Sequence, residues 1–149
     1  MGDWHENLLV DPEAIAALIR STQRVAVLGI RPESRADRPA HYVPAYLASA
    51  GVTVLPVPVH DPGVATILGQ PTYRTVSEVP GPIDIVDVFR RSEDIPPHLP
   101  DLLASRPRAV WFQSGIRNDA AAEALARAGI QVVQDRCLMV DHRRFSKAL

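Results

Sequence analysis

The residues best suited to chemistry fall in two short stretches. The first is Gly29-Ile30-Arg31-Pro32-Glu33-Ser34-Arg35-Ala36-Asp37-Arg38-Pro39. It joins an apolar run to a helix start. Such a junction binds anions through free backbone N–H groups and the positive end of the helix dipole. Arg31, Arg35 and Arg38 add guanidinium forks that match phosphate oxygens, with the Ser34 hydroxyl among them. The second stretch is Asp87-Val88-Phe89-Arg90-Arg91-Ser92-Glu93-Asp94. There a ring can pack against a nucleobase or ribose while the arginines clamp phosphate. The plainer alternative is that Phe89 is core and the arginines pair with Glu93 and Asp94. Asp87 lies within an apolar strand, where a carboxylate needs a partner. Orienting an arginine of the site is one use for it.

Other chemistries lack their signatures. The glycine-rich dinucleotide fingerprint is absent, with Gly29 standing alone, and no Gly-Lys-Ser/Thr sequence follows it. His5, His41, His60, His98 and His142 show no spacing typical of metal ligands. Cys137 has Arg136 beside it, which can lower a thiol pKa, but no second Cys or nearby His completes a nucleophilic set. No Gly-x-Ser-x-Gly elbow occurs. The residues describe a ligand cradle more than a reaction centre.

These stretches must be positioned by the elements around them. Asp11-Pro12-Glu13 opens a helix, with Asp as N-cap and Pro in the first turn. Arg24 to Ile30 reads as a strand buried on both faces. A helix follows from about Asp37-Arg38-Pro39 to Ala50-Gly51, with Pro44 expected to distort it. Val52–Val57 is a second strand, and Pro58–Pro71 a loop containing the apolar pair Ile67-Leu68. Tyr73–Val79 reads as a short strand turn and a single helical turn. Ile83–Phe89 is a strand, followed by a helix within Ser92–Ala104 that carries Pro96 and Pro97 in its first turns. Ala109–Gln113 is a strand, Asn118–Ala128 a helix capped by Asn118, and Ile130–Val133 the last strand. The tail from Asp135 to Leu149 holds a short helix.

Strands alternating with helices predict a Rossmann-like, doubly wound parallel sheet of about five strands in three layers. Ligands of such folds lie at the carboxyl ends of the strands, near the switch in strand order. Gly29-Ile30-Arg31, Pro58, Phe89-Arg90 and Gln113 stand at those ends.

Length and composition agree. A chain of 149 residues suits one domain, here the whole of 1–149 with a core over about 20–145. Sixteen basic against seventeen acidic side chains exclude the basic excess of a dedicated nucleic-acid binder. No apolar run reaches the length of about 20 residues that spans a membrane. The acidic start MGDWHENLLV is not a signal peptide, and one cysteine permits no internal disulfide, so a cytoplasmic protein is expected. Trp4, Leu8 and Leu9 are expected to fold back on the domain.

Six segments occur in an order that resembles a known family: strand-Gly29-Ile30, Asp37-Arg38-Pro39, Ile67-Leu68-Gly69 with Tyr73, Val86-Asp87-Val88-Phe89-Arg90-Arg91-Ser92-Glu93, Val110 to Asn118, and Val132 to Cys137. This is similar to the small stand-alone bacterial coenzyme A-binding proteins. They share the CoA-binding Rossmann domain of succinyl-CoA ligase α subunits and ADP-forming acyl-CoA synthetases. The resemblance implies CoA or an acyl-CoA as ligand, with its pyrophosphate over the loop after Gly29 and Ile30. Its adenine-ribose end would lie near Pro58, with Phe89 and Arg90 in the same cleft. Arg31 and the Pro58-Val59 pair depart from the family pattern. Arg31 and Arg35 either serve the 3′-phosphate or fill the site. Two other readings stay open: an NAD(H)-binding redox sensor, and a CoA-dependent enzyme using Cys137. A protein partner or homo-oligomer is compatible with all three.

Overall fold

The computed structural model describes residues 2–147. Its central sheet consists of β1 (Arg24–Leu28), β2 (Thr53–Val57), β5 (Ile85–Val88), β6 (Ala109–Phe112) and β7 (Gln131–Val133). All are parallel, in the spatial order β2-β1-β5-β6-β7. A small antiparallel ladder pairs β3 (Thr66–Ile67) with β4 (Gln70–Pro71). The helices are α1 (Pro12–Arg20), α2 (Pro39–Ser49), α3 (Leu99–Ser105), α4 (Asp119–Arg127) and α5 (Leu138–Phe145). The fold is the Rossmann-like α/β architecture expected from the alternation of strands and helices.

The strands read as continuous apolar runs because both faces of the sheet are covered. Val25, Val27, Ile85, Trp111 and Val133 pack under α1, α2 and α5. Ala26, Leu28, Val86, Val88, Val110 and Phe112 pack under α3 and α4. The N-terminal segment folds back along the outer edge of β7. Leu8 bridges Val132, and the Leu9 N–H donates to the Val132 carbonyl at 2.8 Å. That pairing covers an edge that would otherwise invite association.

Prolines explain where local structure departs from the periodicity. The helix expected within Ser92–Ala104 breaks into 3-10 turns at Ser92–Asp94 and Pro96–His98 before α3 begins. Pro96, Pro97 and Pro100 have no N–H to return to the preceding turn, so a continuous α-helix cannot close there. Pro44 has the opposite outcome, since α2 runs through it without ending. Pro44 leaves the Ala40 carbonyl without its helical donor, and the Arg31 N–H fills that vacancy at 3.1 Å. Within the loop after β2, Leu68 and Gly69 take positive φ (52° and 74°) and turn the chain from β3 into β4. Ile67 is thereby buried in the core.

Candidate functional site

The chain leaves β1 toward β2 on one side, then returns across β1 to β5 on the other. The switch in strand order therefore lies between the carboxyl ends of β1 and β5. There the two loops touch. Gly29 adopts φ +89°, its N–H donates to the Val57 carbonyl at 2.8 Å, and the Phe89 N–H donates to the Leu28 carbonyl at 2.9 Å. A Cβ at Gly29 would collide with the Phe89 carbonyl oxygen. The position demands glycine for both backbone conformation and space.

A cleft of about 720 Å³ opens over this junction. It gathers Gly29, Arg31, Arg38, Phe89, Arg90 and Gln113 from the residues singled out in the sequence. Four do not line it. Ile30 is fully buried in the core, and Ser34 and Arg35 sit exposed on the 3-10 turn Glu33–Arg35. Pro58 is half-buried beyond the end of β2. The turn is anchored outward, because the Glu33 carboxylate accepts the Leu68 N–H at 2.8 Å.

The cleft is cationic. Arg31, Arg38, Arg90 and Arg91 line it, and among the described residues no aspartate or glutamate does. The four differ in freedom. Arg31 Nε donates to Asp61 Oδ2 at 2.9 Å, in a pair about three-quarters shielded from solvent. Arg91 is exposed and pairs with Asp94 and Glu93. The guanidinium of Arg38, at the N-cap of α2, has no hydrogen-bond or ion-pair partner among the described residues. Arg90 has no carboxylate partner among them. Its Nε donates to His98 Nε2 at 3.2 Å, and its Nη1 lies 3.2 Å from His60 Nε2. Burial pushes the His98 pKa below its ordinary value, and the Arg90 charge lowers it further. A neutral His98 keeps the lone pair that orients Arg90.

The floor is held firmly. Gln113 is buried, and its Oε1 accepts the Leu138 N–H at 3.0 Å, satisfying one of the free donors at the start of α5. His41 is buried and its Nδ1 donates to the Arg31 carbonyl at 3.0 Å, which fixes the ring proton on Nδ1. Cys137 lines the cleft at the N-cap of α5 and is half-buried. Its neighbour Arg136 binds Asp141 through two nitrogens, at 2.5 and 2.9 Å. The Arg136 charge is thus engaged elsewhere. Among the described residues, no group of three His, Cys, Asp or Glu side chains could hold a metal ion.

Sequence reasoning passed over Tyr42, Val43, Ile116, Met139 and Val140, which also line the cleft. Apolar residues at helical spacing read as core. The available signal was the place of Tyr42, Val43, Met139 and Val140 in the opening turns of α2 and α5, and of Ile116 in the loop after β6. Asp61 is the acidic residue nearest the end of β2, where a dinucleotide ribose would need a carboxylate. Its pairing with Arg31 occupies it.

Comparison with known proteins gives a consistent picture. Residues 23–143 match the family described as "CoA binding domain". The chain is 34% identical over 128 residues to "Uncharacterized protein YneT" of Bacillus subtilis (strain 168), spanning 86% of this chain and 91% of that one. It resembles a solved structure, "cell-free ID.343 from Thermus thermophilus", with TM-score 0.84 and 41% identity over 91% of this chain and 99% of the other. A "hypothetical protein from Pyrococcus horikoshii OT3" superposes with TM-score 0.82 at 28% identity, over 93% and 94% of the two chains. A match of this extent places the chain in the CoA-binding domain family.

Proposed function

We propose that the protein binds coenzyme A or an acyl-CoA in this cleft and acts as a binding module without catalysing a reaction itself. The observation that carries the reading is the charge of the cleft: four arginines and no carboxylate line it among the described residues, in a chain of formal net charge −1. Such a site favours a polyanion. Arg38 and Arg90 are the residues to hold phosphate oxygens, because neither pairs with a carboxylate among the described residues. Arg31 is tied to Asp61 and serves mainly to shape the loop. Gly29 lets the loop after β1 approach the Phe89 backbone closely, which brings Arg90 to the cleft. Phe89 offers a ring beside them. Neither alternative reading gains support: Asp61 is not free for a ribose, and Arg136 is not free to activate Cys137.

The test is calorimetric titration of the purified protein with CoA, acetyl-CoA, NAD, NADH and ATP. CoA species should bind most tightly. Arg38→Ala and Arg90→Ala should each weaken CoA binding by about 1.5–3 kcal/mol, roughly ten- to a hundredfold, the worth of a charge-assisted hydrogen bond. Unchanged affinity in both variants would remove the proposed phosphate cradle. Preference for NADH would replace CoA with the dinucleotide.

A further inference from the structure

Arg90 follows β5 and stands between two imidazoles from other loops. His60 follows β2, and His98 ends the 3-10 turn Pro96–His98 ahead of α3. The Arg90 Nε donates to His98 Nε2 and the Nη1 meets His60 Nε2, each at 3.2 Å. A guanidinium has no lone pair to offer, so each contact needs a bare ring nitrogen. Each ring must then carry its single proton on Nδ1. A second proton turns both ring nitrogens into donors and ends the contact.

The two rings are placed differently. His60 is exposed and lines the cleft, so its protonation adds a cation where the ligand lies. His98 is half-buried and stands outside the cleft wall. It holds Nε, which sets the direction of the whole fork, and Nη2 has no partner among the described residues. A charged His98 gives nothing to the ligand directly, and it repels the guanidinium that it touches.

Few charges near His98 oppose this. Burial and then Arg90 lower its pKa, while Asp101 and Asp94 act the other way and more weakly. Asp94 is paired with Arg91, and Asp101 accepts the Val76 and Ser77 N–H groups. Glu78, on the turn packed against α3, accepts the Arg74 N–H. On α4, Asp119 and Glu123 pair with Arg117 and Arg127.

We infer that His98 is the positioning residue of Arg90, aiming its fork into the cleft while the ring is neutral and releasing it on protonation, so that acidification loosens the ligand. The inference rests on the CoA reading above and adds a regulation of that site by pH.

The experiment is titration of the full chain from about pH 8 to about pH 5, on the parent, His98→Gln, His98→Ala and His5→Gln. CoA and 3′-dephospho-CoA are both used, because the 3′-phosphate itself takes up a proton near about pH 6. Comparing variants with one ligand cancels that contribution. A glutamine amide oxygen accepts a hydrogen bond and does not titrate. The parent should therefore lose about three- to tenfold in affinity on acidification relative to His98→Gln, a share of the ten- to hundredfold assigned to Arg90. At about pH 8, His98→Gln should bind more tightly than His98→Ala, which offers no acceptor. His5→Gln, on the N-terminal turn Trp4–Asn7, should keep the parent's pH dependence. Equal pH dependence in the parent and His98→Gln would overturn the inference while the CoA reading stood. So would a parent affinity that rises on acidification relative to His98→Gln, the behaviour of a histidine that only adds charge. Ring-nitrogen NMR shifts of His98 in the parent test the contact without a substitution, and a proton on Nε2 at about pH 8 would overturn it as well. Failure of every CoA species to bind at about pH 8 would instead remove the CoA reading on which the inference rests.

Discussion

Asp87 is the residue whose chemistry is least expected. It sits in the middle of β5, between Val27 and Trp111, fully buried, and neither carboxylate oxygen has a hydrogen-bond partner among the described residues. Burial raises its pKa well above the ordinary carboxylate value. The group is therefore neutral in the folded protein where the unfolded chain would ionise it. The folded state binds the extra proton, so stability is greatest below the unfolded pKa of about 4 and declines as pH rises toward the folded pKa. Asp87→Asn removes that dependence. Its melting temperature relative to the parent should climb as pH rises above the unfolded carboxylate pKa of about 4. Parallel curves would mean that the carboxyl does not stay neutral. In the sequence Asp87 promised a partner for an arginine. No residue spacing reveals on which face of the sheet a single strand residue will lie, and its face here is the apolar one under α1, α2 and α5.

At the scale of elements, the junction of β1 and β5 controls the site. Gly29→Ala would put a methyl group against the Phe89 carbonyl and strain a positive φ. It should cost at least about 1–3 kcal/mol of stability and weaken CoA binding further by displacing Phe89 and Arg90. Chemical denaturation and titration of the same sample measure both effects, and a fully stable, fully binding variant would contradict this geometry. The strands and most helices were legible because their signals are local. Apolar runs mark β1 and β5, and Asn118 caps α4, its side chain accepting the Ala121 N–H at 3.0 Å. The 3-10 breaks before α3 were less legible, since consecutive prolines fit a first helical turn as well as they prevent one. For the site, the arginines at strand ends were readable. Which of them are free was not, because the pairing of Arg31 with Asp61 joins residues far apart in the chain. Ser34 and Arg35 share a loop with Arg31 yet face away from the cleft, as only the turn Glu33–Arg35 decides.

For the whole molecule, charge placement matters more than charge total. The formal net charge is −1, yet among the described residues the cleft holds arginines and no carboxylate. Long-range attraction to a polyanion is therefore focused on one edge of the sheet. Salt should oppose it. Raising ionic strength from about 0.05 to about 0.5 M shortens the screening length from above 10 Å to roughly 4 Å, so CoA association should slow and its affinity fall. Stopped-flow measurements across that range check the prediction, and a salt-independent rate would refute electrostatic steering. Arg38→Ala should show a shallower salt dependence than the parent, because it removes a free cation from the field.

The bond from the Arg31 N–H to the Ala40 carbonyl has a consequence for the cost of ligand capture. Loops that fold around a ligand lose conformational entropy at the moment of binding. Here a missing proline N–H in α2 lets the helix accept a donor from the loop after β1. The loop and the first turn of the helix are stitched together before any ligand arrives. The loss of disorder is charged to folding, and the cleft meets its ligand already in shape.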